Sequence, residues 1–409
     1  MGLAVIVASQ TSSVPSNGME MPARAVVLLL TVLAPLGNAL SNASVAGDPK
    51  ATSRTEAASP TELEHPTSIA VDSKGNLYVA ALGQNRVFKL DAQGNIRGFI
   101  GDGKAGFGGD GGTAKDASLY APWGLALDSG GSLFISDSFN HRVRLVDRGS
   151  GAIATAFGKG ASGPQGQNAC AADLIKPTGL AFDKDDKLLV VDSGASRVFR
   201  CNREKGAIAA IAGNGTRGFS GDGGLATNAS LDPYGVAVAK NGDLYIADSG
   251  NHRIRLVSAA TGVITTVAGT GTPGSGGDNG PASNAGLSNP VGIAISPGGD
   301  LLIADSNSHR IRKLNLQTGV ITTVVGTGAP GFGGDGGPAA EAKLDTPTSI
   351  AIDLEGNLFI VDEVNGRIRR VDARSGVITT VAGKGWAKVA HVEGVPTTQP
   401  SDKTKSSAH

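Results

Sequence analysis

The residues of this chain with the most chemical potential recur at regular distances. His141, His252 and His309 each follow Asp-Ser-x-(Asn/Ser) and precede an arginine, and three imidazoles make a common zinc triad. Asp110, Asp222, Asp278 and Asp335 lie in glycine-rich stretches such as 331–337, a composition shared with calcium-binding repeats. Asp72, Asp128, Asp183 and Asp353 each end a short apolar run just before a turn. Gathered on one ring, they could hold a divalent cation such as calcium. Arg86, Arg142, Arg197, Arg253, Arg310 and Arg367 form a column facing Asp137, Asp192, Asp248, Asp305 and Asp362, which Ala81 interrupts. Aromatic residues are 4% of the chain, so Trp123 and Tyr234 at matching positions stand out. No Ser-His-Asp or Cys-His arrangement can be read from spacing.

The elements that position these residues are repeats. Pro66, Pro122, Pro177, Pro233, Pro290 and Pro347 are separated by 56, 55, 56, 57 and 57 residues. Each opens four short apolar segments joined by turns, as in 235–238, 244–248, 253–257 and 263–267. Both faces of these segments are apolar, so each sheet must be covered on two sides. Six four-stranded antiparallel sheets arranged radially satisfy this, which gives an all-β, six-bladed β-propeller. All four strands of a blade fall within one repeat, so the ring is expected to close by apolar contact between blades 6 and 1.

That scaffold decides among the chemistries. The histidines start the third strand, about 16 Å from the axis and equally far from one another by strand spacing. Metal ligands converge far more closely, so a shared ion is excluded. The Asp and Arg columns flank one hairpin turn and are expected to pair across it. The glycines are expected to permit positive φ in compact connections, followed by one helical turn burying Leu344. The four inner-strand acids are expected to cap turns, with the cation ring as the alternative. The residues after the repeat prolines lie at the opposite channel mouth: Thr67, Trp123, Thr178, Tyr234, Val291 and Thr348. Trp123 and Tyr234 are expected about 12 Å apart, as two walls of a pocket with Thr67, Thr178 and Thr348 beside them. Chain topology sets Cys170 and Cys201 on opposite sides of blade 3, which disfavours a bond, whereas secretion favours one.

The runs Asp248-Ser-Gly-Asn-His-Arg-Ile254, Asp137-Ser-Phe-Asn-His-Arg-Val143 and Asp305-Ser-Asn-Ser-His-Arg-Ile311 resemble the signature of NHL repeats. The glycine-rich linkers, such as 326–338, resemble those of secreted bacterial members. The resemblance covers about 57–383. It implies a six-bladed propeller whose relatives bind protein or RNA, sense ligands, or in one branch act as metal-dependent amidating lyases. Fold alone does not choose among these.

Composition narrows the choice. Thirty-six Lys+Arg balance 36 Asp+Glu, which disfavours a nucleic-acid partner. Residues 25–34 are apolar, follow Arg24 and lead into Ser44-Val45-Ala46, the pattern of a secretory signal peptide. The organisation read from sequence is a signal peptide over 1–46, a linker over 47–60, the propeller over 61–386 and a disordered tail over 387–409. The expectation is a secreted, monomeric, non-catalytic propeller, with no membrane insertion once the leader is removed. It would bind a protein, peptide or saccharide at one channel mouth and need no cofactor. The alternative is a lactonase- or amidating-lyase-like enzyme with a divalent cation in its channel.

Overall fold

The computed structural model describes residues 62–158, 170–203 and 205–384. The expected leader, linker and tail therefore lie outside the described residues, as do 61, 159–169, 204 and 385–386 of the expected propeller. Each repeat forms one sheet whose four strands pair antiparallel in chain order. Blade 4 shows the pattern, with Gly235–Val238 innermost, then Leu244–Asp248, Arg253–Val257 and Ile264–Ala268. The second strand of every blade is buried at all five positions, as in Leu133–Asp137 and Leu301–Asp305. Leu and Ile on both faces of that strand require a neighbouring blade on each side. Blades 6 and 1 close the ring without exchanging a strand. There Phe359, Val361 and Ile368 meet Ile69, Val79 and Phe88 in one buried cluster.

The innermost strands approach one another at the axis too closely for most side chains. A Cβ at Gly124 would lie 2.0 Å from the Thr178 carbonyl oxygen, and one at Gly235 2.1 Å from that of Val291. Blades 1 and 6 carry serine at this column, and each hydroxyl accepts from the next inner strand: Leu125 N–H to Ser68 at 3.1 Å, Ile69 N–H to Ser349 at 3.3 Å.

The two ends of the propeller differ. One carries the hairpins between first and second and between third and fourth strands, and is here called the turn face. The other carries the second-to-third-strand turns and the connections between blades, and is called the linker face. Four connections also bridge to the outer strand of the blade they enter, through Thr113–Ala152, Leu225–Val263, Gly280–Ile321 and Pro338–Val377. This covers an edge that would otherwise present unpaired backbone. A 3-10 turn such as Ala339–Glu341 follows, with Leu344 fully buried as expected.

One expectation is overturned here. Cys170 and Cys201 form a disulfide, with Cα atoms 6.0 Å apart. Cys170 pairs alongside Phe157 on the outer strand of blade 2. This brings its side chain into the core between blades 2 and 3, which Cys201 also enters. The topological reading failed because it confined the connection to the linker face.

Candidate functional site

The repeated signature proves to be architecture, and its charges pair differently from the sequence expectation. Asp137 and Arg142 are opposite in register, as are Asp248 and Arg253. The carboxylates nevertheless pair with the arginine two residues further on. Arg144, Arg255, Arg312 and Arg369 are completely buried. Each bridges a strand-end carboxylate to the aspartate of the glycine-rich connection. Arg255 reaches Asp222 at 2.6 Å and Asp248 at 3.1 Å; Arg369 reaches Asp335 at 2.6 Å and Asp362 at 3.2 Å. The connection aspartates read as calcium candidates are thus counter-ions that clamp each linker onto its blade.

Two carboxylates around one guanidinium leave each cluster with a surplus negative charge. Burial pushes the Asp305 and Asp362 carboxyls up to about 6, against hydrogen bonds and the arginine that oppose it. The outer arginines have another task. Arg142, Arg253 and Arg367 stack 3.6–3.8 Å over Phe107, Phe219 and Phe332, a cation–π contact.

The histidines stand apart, as expected. His141, His252 and His309 each cap a 3-10 turn in the left-handed region. Asn289 N–H donates to His252 Nδ1 and Thr346 N–H to His309 Nδ1, both at 3.1 Å. His141 Nδ1 contacts the Ile175 carbonyl oxygen. Each imidazole thereby ties its blade to the next. Asp72, Asp183 and Asp353 accept backbone amides of their own turns, with Lys74, Lys187 and Asn357 N–H donating at 2.9, 2.9 and 2.7 Å. Asp128 takes Ser132 N–H and also pairs with Arg203 at 3.2 Å. Among the described residues no group of three or more His, Cys, Asp or Glu could hold a metal ion.

At the linker-face mouth the expected column divides. Thr67, Thr178 and Thr348 are buried, and their hydroxyls donate to neighbouring carbonyls: Trp123 at 3.0 Å, Tyr234 at 3.1 Å and Thr67 at 3.2 Å. They latch blades together. Trp123 and Tyr234 are half-exposed, but they are not separate walls. Their ring centroids are 6.0 Å apart with the planes tilted by 58°. Long side chains reaching across blade 3 close the distance that strand spacing alone suggests. Below them lies a cavity of about 90 Å³, lined by the inner strands.

Lys176 joins the pair, a residue the sequence reading missed. Its Nζ stands 5.8 Å from the Trp123 ring centre and 5.6 Å from that of Tyr234. Its placement follows from blade 3's departure from the repeat. Phe199 occupies the clamp-arginine position and Ala195 the asparagine position. Without those donors, Asp192 takes three backbone amides instead: Ile175 and Lys176 at 2.8 Å and Ala195 at 3.1 Å. The residues before four repeat prolines, His65, Ala121, Asn289 and Thr346, have positive φ; Lys176 and Asp232 do not. The Lys176 N–H turns onto Asp192 in this approach to Pro177. No repeated residue type in the sequence singles Lys176 out.

The family model described as NHL repeat matches residues 119–144, 231–255 and 287–314, and that of the Teneurin NHL domain matches 328–398. The first three segments hold the Asp-Ser-x-(Asn/Ser)-His-Arg runs of three of the four clamps just described. The chain is an NHL-repeat propeller. Protein SUPPRESSOR OF QUENCHING 1, chloroplastic, of Arabidopsis thaliana is 29% identical over 278 residues, 65% of this chain and 26% of that protein. Human NHL repeat-containing protein 2 is 25% identical, covering 78% of this chain and 49% of its own length. This NHL propeller therefore spans half or less of those relatives. Among solved structures, a Bacteroides thetaiotaomicron protein of unknown function matches with a TM-score of 0.57 at 20% identity, over 76% of this chain and 70% of its own. An auxiliary nutrient binding protein from Bacteroides ovatus matches at 0.56 and 16%, over 78% and 70%. These likenesses establish the fold.

Proposed function

We propose that this NHL propeller is a non-catalytic binding module that receives a ligand or partner protein on its linker face, around Trp123 and Tyr234. One observation carries the reading. Of the nine exposed large apolar side chains among the described residues, seven lie on the linker face: Phe107, Tyr120, Phe139, Ile175, Phe219, Phe332 and Val364. Apolar groups gathered on one side of a soluble domain mark interaction surfaces, and aromatics are over-represented in their centres. The turn face carries Asp, Lys, Ser and Gly hairpins.

Export of the chain belongs to the same proposal. It rests on the composition of 1–46, and the Cys170–Cys201 disulfide supports an oxidising compartment. Among the described residues no helix is long and apolar enough to cross a membrane.

The test is a thermal-shift screen of saccharides, peptides and small ring compounds. Hits should persist in a turn-face Lys74→Ala variant and vanish in Trp123→Ala/Tyr234→Ala. Hits indifferent to the aromatic pair would overturn the reading. Metal analysis of the same protein separates it from the channel-metal enzyme. Chelation is expected to leave the melting temperature unchanged, and a bound divalent cation whose removal destabilises the fold would favour the enzyme.

A further inference from the structure

Resting on the linker-face reading, we propose that Lys176 is the anchor for a carboxylate, and that the ligand is an acidic peptide segment whose apolar residues follow the neighbouring stripe. The Lys176 ammonium is half-buried over two aromatic rings and has no carboxylate at ion-pair distance among the described residues. Asp232, the carboxylate whose charge acts on Lys176, is already engaged. It pairs with Arg217 at 2.7 Å, and its N–H donates to Asp248 at 2.7 Å. Desolvation holds the Lys176 pKa below the ordinary lysine value; Arg217 adds to the depression and Asp232 opposes it in part. A partly desolvated cation of this kind gains most from an incoming anion, because the Coulomb term is least screened there.

The surroundings select the rest of the ligand. Ile175 precedes Lys176, is exposed, and contacts His141 through its carbonyl. Next to His141, exposed Phe139 stacks edge-on against exposed Tyr120, with ring centroids 5.1 Å apart. Tyr120, Phe139 and Ile175 lead past His141 to the Lys176 ammonium at Trp123 and Tyr234, where the Arg217–Asp232 pair stands beside it. A saccharide needs several side-chain amides or carboxylates to match its hydroxyls, which this stripe lacks. Apolar side chains beside a single acid suit it better.

The probe is a random linear heptapeptide library selected on the full chain, followed by affinity measurement of the selected peptides by calorimetry. Selected peptides are expected to carry Asp or Glu beside apolar residues. Each should bind Lys176→Met about ten- to hundredfold more weakly, the loss of one charge-assisted contact, while Lys176→Arg retains most affinity. The Lys176→Met backbone keeps its N–H to Asp192, and an unchanged melting temperature verifies its fold. Peptides lost in Trp123→Ala/Tyr234→Ala but indifferent to Lys176→Met would overturn the carboxylate anchor and leave the linker-face reading standing. Peptides indifferent to all of these variants would overturn both. Failure to select any peptide, with glucuronate binding in its place, would replace the peptide by an acidic sugar and overturn the peptide proposal.

Discussion

Removing one clamp arginine tests whether these clusters are what hold the linkers on the blades. Arg255 is fully enclosed and contacts Asp222 at 2.6 and 3.1 Å, Asp248 at 3.1 Å and the Ser220 carbonyl at 3.1 Å. Arg255→Met preserves most of the side-chain volume but strands Asp248, which is itself completely buried. Breaking a buried pair from one side costs about 3–5 kcal/mol, because the remaining charge is uncompensated. Unfolding entropy of about 2.1 cal/mol/K per residue over a propeller of this size converts that to a fall of about 4–7 °C in melting temperature. Adding Asp248→Asn removes the stranded charge and keeps an acceptor for Asp232 N–H. The double variant should therefore recover about half of the loss. Calorimetric melting of the wild type, both single variants and the double variant forms the cycle. A loss below about 1 kcal/mol for Arg255→Met, or no recovery in the double variant, would refute the clamp as a structural device.

Three further outcomes follow from the same geometry. Gly235→Ala should cost about 3 kcal/mol through collision with the Val291 carbonyl oxygen, whereas Gly98→Ala, which meets nothing within 4 Å, should be near neutral; urea midpoints compare them. Cys170→Ala/Cys201→Ala should lower stability by about 3.5 kcal/mol, given a separation of 31 residues; an unchanged urea midpoint would contradict this. Asp305 and Asp362 have an ordinary carboxyl value of 3.8 when unfolded and about 6 when folded. The folded chain thus binds more protons between those values, and these groups make stability fall as pH rises through that window. The denaturant midpoint should be higher at pH 5 than at pH 6.5, and the opposite slope would contradict the raised values.

The fold was legible because its period was. Six prolines, four apolar segments per repeat and turns between them leave little freedom, and the absence of a shared closing strand follows from where the repeat starts and stops. The isolation of His141, His252 and His309 was also legible, since strand spacing alone keeps them apart. Side-chain reach was not. The carboxylate of Asp248 bypasses Arg253, its register partner, for Arg255, because that guanidinium points into the interior where the linker also delivers Asp222. Trp123 and Tyr234 meet because indole and phenol cross a gap measured between backbones. Lys176 escaped notice because the residue before each repeat proline varies in type, from His65 and Ala121 to Asp232, Asn289 and Thr346. The Cys170–Cys201 bond was missed for a related reason: the 159–176 linker has its own composition, so the repeat could not say where it runs.

The most direct test of the linker-face account uses Trp123 as its own reporter. The chain has two tryptophans, so Trp386→Phe leaves Trp123 as the single indole. Its emission should change saturably on titration with a ligand from the screen or selection, with the same dissociation constant as calorimetry. Calorimetric saturation with unchanged Trp123 emission, and full affinity in Trp123→Ala, would place binding elsewhere on the propeller and contradict the account.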